Sequence, residues 1–122
     1  MAALKIAFEP PEIRPGSNGR SAGLIDFAQL GRQTMGDKEL EAEVLRLFAR
    51  EARGVIDTLS RDAAADAVPL AHRLKGAARA VGAVSVASAA EGLEEAPHDA
   101  GKVAVLLRAV AETENFICGL LR

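Results

Sequence analysis

Apolar side chains recur at intervals of three and four residues from residue 38 to the end of the chain. In the stretch 38–60 this spacing forms an apolar stripe with charged residues on the opposite side, which is the pattern of an amphipathic α-helix. No stretch shows the alternation of apolar and polar residues that indicates a β-strand. The periodicity therefore predicts an all-α fold. The expected stripe comprises Leu40, Val44, Leu47, Phe48, Ala52, Val55, Ile56 and Leu59.

Capping residues place two further helices. Asp26 is a good N-cap for a short helix that ends near residue 33, before Gly36 interrupts the pattern. Asp66 is favoured as the N-cap of a helix that ends near Gly82. This start places Pro69 in the first turn, where proline is tolerated.

Two more helices are expected at 85–96 and 100–121, the first of them stopped by Pro97. The linkers between all these segments are short, so neighbouring helices should run antiparallel. The sequence therefore predicts an up-and-down antiparallel four-helix bundle with a short additional N-terminal helix. The inner face expected for the helix at 85–96 comprises Val86, Ala89, Ala90 and Leu93.

The first 23 residues differ in composition from the rest of the chain. Three prolines and three glycines fall within fourteen positions there, which is incompatible with a helix and buries little surface. We therefore expect residues 1–23 to form a flexible N-terminal tail and residues 24–122 to form the helical bundle. The chain has no Trp or Tyr and only four Phe, so its core should be built from aliphatic and small side chains.

Charge and cysteine content exclude several function classes. The net charge of −2 gives no reason to expect nucleic acid or an anionic membrane as a partner. No run approaches the roughly 20 apolar residues of a membrane span, and residues 1–8 are too short for a signal peptide, so a cytoplasmic protein is expected. The single cysteine, Cys118, forms no internal disulfide or zinc site and is expected to be buried. A monomer is the default expectation.

One face of the helix ending at Gly82 carries the candidate site. Positions three, four and seven apart share a helix face, so Val68, His72, Lys75, Gly76 and Arg79 should lie together, pointing away from the core. The opposite face, expected to meet the core, comprises Leu70, Leu74, Ala77, Ala78 and Val81.

The residue types on this face suit phosphoryl transfer. A neutral imidazole is a good nucleophile, and positive charge near His72 disfavours its protonated form. Lys75, one turn further on, could reach the equatorial oxygens of a phosphoryl group, and Arg79 could add a contact or help to dock an acidic partner. Gly76 costs about 1 kcal/mol relative to alanine in a helix. A side chain there is expected to crowd the imidazole, so glycine would leave room for the reaction.

The motif His72-x-Leu74-Lys75-Gly76, followed by Gly82 and Ala83, resembles the signature of histidine phosphotransfer (Hpt) domains, over residues 24–121. The resemblance implies that His72 is phosphorylated, on the ring nitrogen farther from the backbone. It also implies that Lys75 stabilises the phosphoryl group, that Gly76 gives access and that the chain is a phosphocarrier, not an ATP-binding enzyme. The partners would be receiver domains, which supply the acceptor aspartate and its magnesium, so no metal or other cofactor is expected on this chain.

Other functions compete with this interpretation. The dimerisation domain of a sensor kinase also carries its histidine on a helical hairpin, but an acidic residue and then a proline typically follow that histidine, where this chain has Arg73 and Gly76. A helical adaptor without phosphochemistry remains a second alternative. A metal-dependent or nucleophilic enzyme lacks a suitable set of residues. The other histidine, His98, follows Pro97 in an expected loop and should be exposed.

Overall fold

The computed structural model describes residues 24–62 and 64–122 of the chain. This part contains five α-helices and no β-strand, so the predicted all-α fold class is confirmed. Consecutive helices among the last four pack against each other, and the second and last helices also touch, which closes the bundle. The helices are α1 (Phe27–Thr34), α2 (Lys38–Arg61), α3 (Ala67–Val81), α4 (Val84–Glu95) and α5 (Ala100–Leu120).

Aspartate side chains fix where four of the helices begin. The carboxylates of Asp26, Asp37, Asp66 and Asp99 each accept a hydrogen bond from a backbone N–H in the first turn of the helix that follows. Each bond satisfies a donor that a helix start otherwise leaves unpaired, which is typically worth about 1 kcal/mol. The predicted start of α3 is thus confirmed, with Pro69 in the first turn.

The core is aliphatic and rich in alanine, as the composition predicts. The inner face expected for α4 is confirmed, because all four of its residues are buried. The expected stripe of α2 is partly wrong: Leu40 and Leu47 are exposed, and Leu45 is buried in their place. Leu45 lies at the same helical phase as Phe48, Ala52 and the other buried residues, whereas Leu47 projects to the outside.

The expectation for Cys118 is wrong, because this thiol is exposed. The buried residues of α5 follow one stripe that ends at Ile117. Cys118 comes one position later and is therefore rotated by about 100° out of that stripe. An apolar run near the end of a helix contains both core and surface positions.

The turn between α3 and α4 is tied to the start of α1. Gly82 caps α3 in the left-handed conformation, with φ of 80°. Its carbonyl accepts a hydrogen bond of 2.7 Å from the backbone N–H of Asp26. A Cβ on Gly82 would lie 2.5 Å from the Asp26 carbonyl oxygen, so only glycine fits here. This contact anchors α1 to the end of the α3–α4 hairpin.

The tail predicted for residues 1–23 lies outside the described residues. Within the part of the chain that the structure describes, no helix is both long and apolar enough to cross a membrane.

Candidate functional site

His72 projects from α3 to the outside of the bundle, as the helical phase predicts. Its side chain is 69% exposed. The residues on the opposite side of α3 meet the core, where Leu74, Ala78 and Val81 are buried and Leu70 and Ala77 are partly buried. The backbone thus holds the imidazole on a rigid helix while leaving most of the ring accessible.

A carboxylate from the neighbouring helix holds one nitrogen of this ring. The Nδ1 atom of His72 lies 2.7 Å from Oε2 of Glu94, in the last turn of α4. The two residues meet because α3 and α4 form an antiparallel hairpin that turns at Gly82, and they lie at similar distances along the chain from that turn. The nearest charge to the ring is therefore negative, whereas the sequence had suggested only cations.

The same carboxylate also binds Lys75. Its Nζ atom lies 2.6 Å from Oε1 of Glu94, and the lysine side chain is only 16% exposed. Lys75 therefore has an acidic partner that was not evident from the sequence. Glu94 bridges the two side chains, with one carboxylate oxygen on each.

These contacts lower the pKa of Glu94. The hydrogen bond from Lys75 is the largest cause, followed by that from His72, and burial opposes them. The carboxyl group is consequently ionised at neutral pH, when its oxygens can only accept hydrogen bonds. The Nδ1 atom of His72 must then carry the hydrogen and donate it. In the neutral ring this leaves the lone pair on Nε2, the nitrogen farther from the backbone.

Gly76 lies one turn beyond His72 beside open space. A Cβ built at this position has no heavy atom within 4 Å, apart from neighbouring backbone of the same helix. The expected crowding of the imidazole by such a Cβ is therefore absent in this side-chain arrangement. Packing inside the described chain gives no reason for glycine at a position where it destabilises the helix.

The cations on the outer face of α3 are matched by carboxylates from both flanking helices. Arg73 donates a hydrogen bond of 2.8 Å to Glu51 of α2. Arg79, which is well exposed, lies 3.5 Å from Glu91 of α4. Together with the Lys75 pair, each basic residue on this face has an acidic neighbour, so the surface around His72 carries little net charge.

Two other expected positions lie where the sequence placed them. Val68, one turn before His72, is 37% exposed. His98 is exposed in the turn between α4 and α5. Among the described residues, no group of three or more His, Cys, Asp or Glu side chains is arranged to hold a metal ion.

Sequence reasoning did not identify Glu94 as part of the site. Its contact with His72 spans 22 positions, whereas helix-face arguments connect only residues up to about two turns apart. Counting outward from the turn at Gly82 could have placed it opposite His72. Glu94 and Glu95 are adjacent, however, so the phase of α4 would also have been needed to choose between them.

The model of one protein family, the Hpt domain, matches residues 43–117, which is more than half of the chain and includes every residue of the site. The chain belongs to the Hpt domain family. No curated protein and no solved structure matches it significantly. Hpt domains carry out histidine phosphotransfer in two-component signalling, in which they interact with receiver domains and act as phosphocarriers, not as kinases.

Proposed function

We propose that this Hpt domain carries a phosphoryl group on Nε2 of His72 and exchanges it with aspartates of receiver domains in a phosphorelay. The observation that carries this proposal is the exposed imidazole whose Nδ1 is bound by Glu94, since this contact leaves the lone pair of Nε2 facing outward. The family match supports the class of reaction. The residue and the ring nitrogen are inferred from the geometry.

The transfer breaks one bond and forms another. The Nε2 lone pair attacks the phosphorus of a receiver aspartyl phosphate, the P–N bond forms, and the P–O bond to the aspartate breaks with release of a carboxylate. The imidazole ring thereby becomes positively charged while its Nδ1–H still faces Glu94. The negative charge of that carboxylate stabilises the phosphorylated ring and holds it in one orientation. The reverse attack by a receiver carboxylate returns the group to aspartate.

Lys75 is proposed to bind the phosphoryl oxygens. Its ammonium group now contacts Glu94, and a phosphoryl group on His72 would introduce a second anion near this network. A flexible lysine side chain can contact both anions because it has three donors on a rotatable stem. Lys75 would thus help neutralise charge that develops during transfer.

The direct test is to incubate the protein with a phosphorylated receiver domain and to characterise any label that it acquires. We expect a label that is stable in base and lost in acid, as phosphoramidates are. We also expect NMR of the labelled ring to place the phosphorus on Nε2. An acid-stable label, or none with a panel of receiver domains, would favour the helical adaptor instead.

Replacing Gly76 by alanine is expected to stabilise the fold and impair transfer. The free energy of unfolding should rise by about 0.5–1 kcal/mol, because alanine is the better helix former and its Cβ meets nothing in the described part of the chain. The rate of transfer from a receiver should fall by about tenfold, if the methyl group costs about 1.4 kcal/mol against the approaching partner. Denaturant unfolding and transfer kinetics measure the two effects.

Gly54 provides a matched control for this substitution. It also occupies an exposed position inside a helix, α2, and a Cβ built there has no heavy atom of the described residues within 4 Å, apart from neighbouring backbone of the same helix. Gly54→Ala should therefore stabilise the fold by a similar amount without slowing transfer. Equal transfer rates in both variants would show that Gly76 has no role in admitting the partner.

Val68 and Arg79 are proposed as contacts for the receiver domain. They flank His72 at distances of about one and two helical turns, and both are exposed. Val68→Asp should weaken receiver binding while the circular dichroism spectrum stays helical, because it places a charge in a contact expected to be apolar. Unchanged receiver affinity would remove Val68 from the proposed interface.

A further inference from the structure

A surface groove lies between α2 and α5, away from the outer face of α3 that carries His72. Its volume is about 580 Å³. Ile117, which is buried, forms part of its floor together with Leu121, and the exposed thiol of Cys118 lies in its lining. The floor is therefore apolar, and the chain's single cysteine lies beside it.

Arginines surround this apolar floor. Arg46 and Arg50 line the groove from α2, and Arg122 lines it from the end of the chain. Within the described ranges 24–62 and 64–122, none of the three forms an ion pair with a carboxylate. By contrast, the arginines and the lysine on the outer face of α3 all have acidic neighbours. The groove thus combines apolar contact area with unmatched positive charge, which fits an apolar segment that carries carboxylates.

The amino-acid sequence contains such a segment before the described residues. Residues 6–13 read Ile-Ala-Phe-Glu-Pro-Pro-Glu-Ile, with four apolar side chains, two glutamates and no basic residue. The two prolines disfavour a helix and favour an extended conformation, which can follow a groove between two helices.

The segment is within reach of the groove. The described chain begins at Leu24, close to the start of α1. In α1, the ring centroid of Phe27 lies 6.1 Å from that of Phe116. Phe116 directly precedes the groove residue Ile117, so the start of α1 lies near this end of α5. The eleven residues from position 13 to Leu24 can span up to about 36 Å, which is the length of a helix of about 24 residues. A short linker of this kind creates an effective concentration of about 1 mM. Docking with an intrinsic dissociation constant of about 0.1 mM would therefore be about nine-tenths complete.

We propose that residues 6–13 dock in the groove between α2 and α5, with Phe8 or a neighbouring apolar side chain on the floor and Glu9 and Glu12 facing the arginines. The docked segment covers the Cys118 thiol. This inference does not depend on the phosphotransfer function, since the groove and His72 lie on different surfaces of the bundle.

The reaction of Cys118 with a neutral alkylating reagent tests the proposal in the full chain. If docking is about nine-tenths complete, Phe8→Ser/Ile13→Ser should increase the alkylation rate by up to about tenfold, because only undocked molecules react. Glu9→Arg/Glu12→Arg should have a similar effect. A variant that combines Glu9→Arg/Glu12→Arg with Arg46→Glu/Arg50→Glu should again protect Cys118 from alkylation, because the acidic and basic partners have then exchanged places. Ser17→Ala, a substitution between the segment and α1, is the control and should leave the rate unchanged.

Three results would contradict the proposal. The first is an alkylation rate that stays the same in the wild type and in both segment variants, while all of them retain a helical spectrum. The second is protection that increases with protein concentration and is accompanied by a dimer in sedimentation, which would identify a second copy of the chain as the occupant. Loss of protection without restoration in the charge-exchanged variant would also contradict the proposed pairing of glutamates with arginines.

Discussion

His72→Gln is expected to accept no phosphoryl group from any receiver domain, while its fold stays intact. Glutamine has a side-chain length close to that of histidine but offers no nitrogen lone pair of comparable nucleophilicity, so the covalent intermediate cannot form. The side chain is 69% exposed and packs little, so its replacement should leave the unfolding midpoint close to that of the wild type. Transfer of radiolabel and denaturant unfolding, measured on the same preparation, separate the two outcomes.

His98 is the matched control because it is the chain's other histidine. It is also exposed, but it lies in the turn between α4 and α5, and no described residue forms an ion pair with it. His98→Gln should therefore transfer phosphate at the wild-type rate. Label that survives in His72→Gln and disappears in His98→Gln would refute the assignment of the phosphorylated residue.

Gly82→Ala is expected to produce the largest loss of stability among the substitutions considered. Two costs add at this position. The left-handed backbone conformation costs about 1–2 kcal/mol for a residue with a Cβ. A Cβ 2.5 Å from the Asp26 carbonyl oxygen forces backbone to move, which typically costs a further 1–3 kcal/mol or so. The expected loss of about 2–5 kcal/mol is large compared with the free energy of unfolding of a typical domain, which is about 5–15 kcal/mol.

Gly36→Ala separates these two costs. Gly36 has a similar φ of 77°, but a Cβ there would have no heavy atom of residues 24–62 or 64–122 within 4 Å. Its replacement should therefore cost only the backbone strain, about 1–2 kcal/mol. Denaturant unfolding of both variants gives the difference, which measures the contact between Gly82 and Asp26. Equal losses in the two variants would mean that α1 shifts away from the turn without cost.

The fold was predictable because its signals are local. Aspartates that cap helices mark their starts, and the position of Pro69 alone selected Asp66 over Asp62 as the cap of α3. Two of the three misplaced residues, Leu47 and Cys118, lie in apolar runs where several neighbouring positions have the composition of a core, whereas Leu40 lies between glutamates in the first turn of α2. Composition cannot resolve the phase of a helix to within one residue. That choice is made by the helices packed against it.

The site was predictable only in part, for a related reason. The outward direction of His72 follows from the phase of α3 alone and is confirmed. The network that joins His72 and Lys75 depends on Glu94, and this contact exists only once α3 and α4 have formed their hairpin. Helix-face reasoning considered only the cations of α3, whereas the charge nearest the ring is the carboxylate of Glu94 on α4.

The pairing of each cation around His72 with a carboxylate also affects how a receiver finds this surface. A surface that is locally neutral produces a weak field beyond about 8–10 Å in physiological salt, so it attracts a charged partner little from a distance. Encounters are then governed by diffusion and by orientation, and their rate should respond only slightly to ionic strength. Discrimination among the many similar receivers of a cell must consequently arise after contact, from the shape of the two surfaces and from which ion pairs they exchange.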